Sequence, residues 1–303
     1  IVNRKNNARI ARWIVEQATA LGFKNYIHLI DTDIYRSRYL KEYIHPAVSI
    51  YYRRDYIIGE AYWRRHGTRL EPELAASANI VLANSTRFAA ELQPYNPHTY
   101  PIETGVNLEL YNPAKKYETP GDMQDIPRPI IGYMGTINST RLDGDLLYQI
   151  ISQRPDYSFV FTGPEDDIFR RNRIHSLKNA YFTGQKKVDE LPAYIAAYDV
   201  CINPQMVNEI TDGNYPLKID EYLAMGKPTV ATSTHTMRNI FAGHTHLAIN
   251  PEEWLAAIDR AVTEADDKEL AKQRIAFAET HSWGHSVKKI YEIIDSFLKK
   301  KTT

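Results

Sequence analysis

Lys218, Glu221 and Tyr222 stand three and four residues apart, a spacing that puts all three on one helical face. The run that carries them reads Asp212-Gly213-Asn214-Tyr215-Pro216-Leu217-Lys218-Ile219-Asp220-Glu221-Tyr222-Leu223-Ala224-Met225-Gly226-Lys227-Pro228. Pro216 suits a first helical turn, where a missing N–H costs nothing, and Gly226 followed by Pro228 ends the helix. A helix amino terminus favours negative charge, yet a lysine occupies this one. A bound phosphate resolves the conflict, held by free N–H groups and the ammonium together. A carboxylate one turn further on suits a ribose, whose two hydroxyls can both donate to it. The plain alternative is an exposed Lys–Glu pair worth about 0.2–0.5 kcal/mol.

The surrounding pattern supplies elements that could position such a site. Apolar strand-like runs alternate with helical stretches, as in parallel α/β domains. The first part predicts strands over 26–30, 48–52, 80–83 and 98–102, with a long helix over 63–76. The second predicts strands over 130–134, 158–161, 180–182, 200–203, 229–232 and 246–249. Its helices are expected over 144–153, 188–197, 217–225, 252–265, 268–280 and 285–298. Between the two series, residues 113–128 carry proline, glycine and charge without periodicity, the mark of a linker. The expected organisation is a first domain over 1–112, a second over 129–284, and a last helix over 285–303 returning to the first. Gly135, Gly163 and Gly184 follow strands, and three such turns at one sheet edge favour a nucleotide cleft over mere tight turning.

Bulk properties exclude several classes. The 303 residues suffice for two α/β domains, with 43% hydrophobic and 24% charged residues. Lys+Arg and Asp+Glu both number 37, so no whole-chain basic field exists for nucleic acid. No apolar run reaches the ~18–20 residues of a membrane span. Cys201 is the only cysteine, which fits a reducing cytoplasm, so the Asn-x-Ser/Thr matches at Asn84 and Asn138 are chance. The chain opens on Ile1 and enters a helical pattern (Ala8, Ala11, Ile14, Ala18, Leu21) with no strand ahead of it. In an α/β domain this leads us to expect that an amino-terminal piece is absent. No zinc-like spacing surrounds His244 and His246. Asp31-Thr32-Asp33 has the form of a divalent-metal motif but is very short, and we read it as mostly structural.

The helical segment resembles the carboxyl-terminal signature of group 1 (family 4-like) glycosyltransferases, in a bacterial subgroup. The matching residues are Glu221-Tyr222-Leu223-Ala224-Met225-Gly226-Lys227-Pro228-Thr229-Val230. Ile131-Gly132-Tyr133-Met134-Gly135-Thr136 followed by Asp143 resembles the first strand and phosphate-facing turn of that family's donor domain. Phe161-Thr162-Gly163-Pro164, Phe182-Thr183-Gly184-Gln185, and Leu191-Pro192-Ala193-Tyr194 with Asp199-Val200 fit the elements that follow. In the first part Ala83-Asn84-Ser85, Gly105-Val106-Asn107 and Tyr111-Asn112-Pro113 resemble the exit into the linker. The resemblance covers nearly the whole chain. It implies a GT-B architecture: two Rossmann-like parallel-sheet domains facing across a cleft, with the last helix crossing back.

The chain departs from the family pattern at several places. The family's earlier Glu falls on Gly213, its Arg after the first donor-domain glycine on Thr136, and its phosphate-binding Lys nearest Arg141. The resemblance implies a retaining, metal-independent hexosyltransferase of polysaccharide biosynthesis that needs no cofactor. Its partners would be a nucleotide-diphosphate sugar and a saccharide or lipid-linked acceptor. Donor binding would fall to Gly135, Thr136, Arg141, Gly184, Gln185, Asn214, Pro216, Leu217, Lys218 and Glu221, with Gln185 against the base. The first domain has no His where the family often has one, which leaves Arg54 and Asp55 as catalytic candidates. Their plain alternative is a surface ion pair worth at most ~1 kcal/mol. Lys299, Lys300 and Lys301 would allow peripheral contact with an anionic inner membrane face, although three lysines usually form a solvated tail. Two other readings compete. A degenerate, non-catalytic nucleotide-sugar-binding or partner domain fits the missing Glu. A sugar-nucleotide epimerase fits the fold but lacks a dense acid and histidine set.

Overall fold

A computed structural model describes residues 2–302 of the chain, with side chains described as far as residue 300. Ile1 and the side chain of Lys301, both used above, lie outside the described residues. The chain forms two compact units. The first contains residues 1–103, 213–215 and 287–303; the second contains 104–212 and 216–286.

The first unit runs α1 (Val2–Ala20), β1 (Ile27–Asp31), α2 (Leu40–Ile44), β2 (Val48–Arg53), α3 (Ala61–Ser77), β3 (Ile80–Ala83), α4 (Thr86–Leu92) and β4 (Thr99–Pro101). Its sheet is parallel throughout, in the order β1-β2-β3-β4. Every residue of β2 and β3 is buried, as expected when helices cover both faces of a parallel sheet. Ser85 caps α4 by accepting from the Phe88 N–H.

The second unit contributes β5 (Ile130–Met134), α5 (Gly144–Ser152), β6 (Ser158–Thr162), β7 (Ala180–Gly184), α6 (Leu191–Ala197), β8 (Val200–Asn203) and α7 (Leu217–Ala224). β9 (Thr229–Thr232), β10 (His246–Ala248), α8 (Pro251–Thr263), α9 (Lys268–Thr280) and α10 (Trp283–Thr302) follow. Its parallel sheet has the order β10-β9-β8-β5-β6-β7. Asp143, Asn250 and Asp267 cap α5, α8 and α9 with side-chain oxygens. A core of Ile131, Phe159, Val200, Val230, Trp254 and Ile258 fills the space between the sheet and α5 and α8.

All ten predicted strands form, each within one or two residues of its expected ends. Two details differ from expectation. The first unit gives way to the second after Glu103 rather than near 112, because Val106 forms a parallel bridge with Ser282 and Gly105 lies against the Trp283 backbone. α10 does join the first unit from Val287 onward, packing Ile290, Ile294 and Phe297 on Val48, Ile80 and Ile102. Val287, expected on that apolar stripe, is 46% exposed, and Ile293 takes part instead. No helix among the described residues is long and apolar enough to cross a membrane.

The carboxyl end of β2 is fixed by a buried ionic cluster that the sequence did not announce. Arg53 is 2% exposed and pairs with Glu71 at 3.5 Å and Glu91 at 3.0 Å, while the Tyr51 hydroxyl donates to Glu71 at 2.7 Å. Burial pushes the Glu71 carboxyl up, and the Arg53 charge opposes that shift. Arg53 also lies over the Phe88 and Tyr56 rings, at 4.5 and 5.0 Å from their centroids. Removing the cation leaves Glu71 buried with only the Tyr51 hydroxyl to offset its charge. Arg53→Ala should therefore cost about 3–5 kcal/mol in denaturant unfolding; a loss under about 1 kcal/mol, the range of exposed pairs, would contradict the account.

Candidate functional site

In the second unit the chain places β6 and β7 on one side of β5, and β8, β9 and β10 on the other. The strand order thus reverses between β5 and β8, and open α/β sheets bind ligands outside the carboxyl ends of such a pair. Gly135 follows β5 at φ +134°, where a Cβ would lie 2.8 Å from Lys218 Nζ. Gly163 follows β6 at φ +147°, and a Cβ there would stand 2.0 Å from the Gly135 carbonyl oxygen. The Gly163 N–H donates to the Gly184 carbonyl at 2.9 Å. The loops leaving β5, β6 and β7 are therefore stacked backbone on backbone, and side chains at the first two positions would separate them.

α7 docks on this edge. The Tyr222 side chain, fully buried, accepts the Met134 N–H at 2.8 Å and so ties the helix to the end of β5. One turn earlier, Lys218 Nζ donates to the Tyr133 hydroxyl at 2.7 Å and lies 4.0 Å from that ring's centroid. The Tyr133 hydroxyl in turn donates to the Thr136 carbonyl at 3.0 Å. Burial pushes the Lys218 ammonium down to about 7; Glu221 opposes that shift and the Arg141 guanidinium adds to it. No carboxylate pairs with Arg141 among the described residues, so two cations share one edge with a single carboxylate to offset them.

That carboxylate, Glu221, is also enclosed, and burial raises its pKa against the effects of a Tyr111 hydrogen bond and the Lys218 charge. Tyr111 donates this bond, and its own hydroxyl is pushed up by burial and by Glu221. The arrangement holds a carboxylate acceptor beside two cationic donors. It suits a ligand with an anionic group next to vicinal hydroxyls.

The structure gathers Gly135, Thr136, Arg141, Lys218 and Glu221 at this edge, with Pro216 as the residue preceding α7 and Leu217 its first helical residue. Gly184 ends β7, and Gln185 beyond it is exposed. Asn214 belongs to the first unit, where Asn84 Nδ2 lies 3.5 Å from its Oδ1. Arg54 and Asp55 are in that unit too. Arg54 makes an exposed pair with Asp31 at 3.0 Å, the plain alternative weighed for it, and Asp55 is half-buried. Asp33 accepts the Tyr35 and Arg36 N–H groups, so Asp31-Thr32-Asp33 builds a turn. Tyr111 is the site residue that sequence reasoning missed. Its signal was the Tyr111-Asn112-Pro113 triplet, read only as an exit into the linker.

Residues 128–264 match the family model described as glycosyl transferases group 1. This segment is a group 1 glycosyltransferase domain. The chain is 27% identical over 188 residues to TuaH of Bacillus subtilis (strain 168), a proposed teichuronic acid biosynthesis glycosyltransferase. That match covers 60% of the chain and 47% of the relative, so the chain spans about half its length. Among solved structures, Anabaena Alr3699/HepE in complex with UDP aligns at a TM-score of 0.74 and 15% identity, over 95% of this chain and 82% of that one. The catalytic domain of starch synthase IV from Arabidopsis thaliana, bound to ADP and acarbose, aligns at 0.71 and 13% identity, over 97% and 77%. These likenesses show the fold: two parallel-sheet α/β domains of the GT-B type.

Within the group 1 domain the depressed Lys218 has a measurable consequence. Its pKa falls on folding, so the unfolded chain binds the proton more readily from about pH 7 up to the ordinary lysine value. The folding cost of the buried ammonium is complete below about pH 7 and shrinks as pH rises above it. Lys218→Met should raise the thermal midpoint at pH 6, with a gain that diminishes steadily towards pH 9. A gain independent of pH would contradict this placement of the lysine.

Proposed function

We propose that this chain is a retaining, metal-independent hexosyltransferase that moves a sugar from a nucleoside diphosphate sugar to a saccharide or lipid-linked acceptor. The observation that carries the proposal is the convergence of Lys218 and Arg141 at the strand-order reversal, with Glu221 one turn along α7. Lys218 and Arg141 would hold the diphosphate and stabilise the negative charge that builds as the sugar departs. Glu221 would accept the ribose hydroxyls, Tyr111 being exchanged for them, and Gln185 would lie against the base. Uridine is the base we favour, because the HepE structures hold UDP and UDP-glucose. Arg54 and Asp55 are proposed to act on the acceptor, and Asn214 on the donor sugar. Action at the cytoplasmic membrane face fits a lipid-linked acceptor, and TuaH, named for teichuronic acid biosynthesis, supports a role in polysaccharide assembly.

One observation favours a second reading. Gly213 stands where the family pattern has a Glu, and a Cβ there would lie 2.7 Å from the Phe88 ring and 2.9 Å from Arg87 Cδ. Packing, not sugar contact, decides that residue. A binding-only protein would hold the nucleotide and never release sugar from it.

The test is calorimetric titration with UDP, GDP and ADP, with and without magnesium, alongside release of glucose from UDP-glucose. One diphosphate, UDP, should bind without metal. Glu221→Ala should weaken it by about 1.5–3 kcal/mol, the range for hydrogen bonds to a charged group. Binding without sugar release by the chain would favour the second reading, and no binding by any diphosphate would remove the donor site.

A further inference from the structure

The loop that joins β7 to α6 covers residues 185–190 and begins with Gln185, assigned above to the nucleotide base. Gln185 is exposed and makes no side-chain hydrogen bond among the described residues. Gly184, just before it, stands at φ +70° with nothing within 4 Å of where a Cβ would lie, so the chain borders open space at this strand end. An amide carried on a loop reads a base well only if its backbone is already held, since fixing one loose residue costs about 1–2 kcal/mol.

Contacts near the backbone secure both ends of the loop. The Gly184 carbonyl accepts the Gly163 N–H at 2.9 Å. The Lys187 N–H donates to Glu190 Oε2 at 2.8 Å, and the Glu190 N–H donates to the Lys187 carbonyl at 3.1 Å. Between these ends Lys186 is tied by its side chain. Its Nζ donates to Asp122 Oδ2 at 2.7 Å and lies 5.2 Å from the centroid of the Tyr194 ring. The Tyr194 hydroxyl donates to the same carboxylate, at 2.8 Å from Oδ1 and 3.0 Å from Oδ2.

Three elements thus meet at one carboxylate: the 3-10 turn Gly121–Met123, the loop and α6. Met123 is buried and roots the turn. Burial works against the Asp122 charge, yet the hydrogen bonds from Lys186 and Tyr194 hold its carboxyl below the ordinary value. An isolated surface pair would be worth little, but the Lys186 side chain is only 18% exposed and both carboxylate oxygens are engaged. The stretch 113–128, expected as a linker, therefore contributes a charged contact inside the second unit.

We propose that Asp122 and Lys186 are positioning residues for base recognition: their ion pair, closed by Tyr194, holds the loop so that Gln185 meets the base of the bound nucleotide. The proposal rests on the donor-site reading given above.

The test titrates the full chain with UDP and with inorganic pyrophosphate, which keeps the charge and lacks the base. Lys186→Met and Asp122→Asn should each weaken UDP about three- to fivefold, the effect of losing a partly exposed ion pair. Both should leave pyrophosphate at the wild-type affinity, and Lys186→Arg should keep UDP near the wild-type value. Amide hydrogen exchange over 185–190 in the free protein should quicken in Lys186→Met and Asp122→Asn, while β5 and β6 exchange as in wild type and serve as the folding control. Asp122→Asn separates positioning from direct contact. If Lys186 itself held the phosphates, releasing it would tighten pyrophosphate binding, and that result overturns the proposal. So does a loss shared equally by UDP and pyrophosphate, or unchanged UDP affinity in both variants. Binding of no nucleoside diphosphate by the wild-type chain would instead remove the donor-site reading, and the proposal with it.

Discussion

The group 1 domain is organised around an ammonium held where water cannot fully reach it. Lys218 reaches from the first turn of α7 over the Tyr133 ring, near Arg141, and its proton is correspondingly loosely held. Such a group is costly in the empty protein and turns favourable when an anion arrives, because the same enclosure that destabilises the charge strengthens its pairing. The neighbouring features follow from this need. Gly135 leaves room for the lysine tip, Tyr222 pins α7 to β5, and the reversal of strand order opens the crevice in which the tip lies.

Glu221 completes the arrangement from the opposite sign. A half-buried carboxylate needs partners, and it has two: the Tyr111 hydroxyl and the Lys218 charge. Ligand hydroxyls can take over the Tyr111 role by donating to the carboxylate, while phosphate oxygens accept from Lys218. In the first unit a different ionic cluster sets the buried Arg53 guanidinium against Glu71, Glu91 and two aromatic faces. It holds a strand end in place. The two clusters show the difference between a charge kept for structure and a charge kept waiting.

Much of the fold was legible because parallel strands buried on both faces read as short apolar runs, and β2, β3, β5, β6, β8 and β9 are of that kind. Short elements without an apolar stripe were not legible: α2 has five residues, and the π-helical turn Met237–Phe241 has no period that a sequence pattern would reveal. At the site, Lys218 and Glu221 were visible as a local spacing on α7. Tyr111 was not, because its contact with Glu221 spans more than a hundred residues and depends on how the chain returns after the first unit. Gly213 was read as a missing acid, and only the packing of Phe88 and Arg87 explains why no side chain fits there. Arg53 drew no reading of its own from the sequence, since burial on a strand end is a property of the sheet and not of the dipeptide.

The central claim is that the Lys218 ammonium waits for a phosphate. It is tested most directly by NMR titration of the Lys218 side-chain amine, labelled with 15N, in the free protein and with saturating UDP. The account predicts a pKa near 7 in the free protein, rising by more than about one unit when the diphosphate is bound. An ordinary lysine value in the free protein, or a depressed value that UDP leaves unchanged, would contradict it.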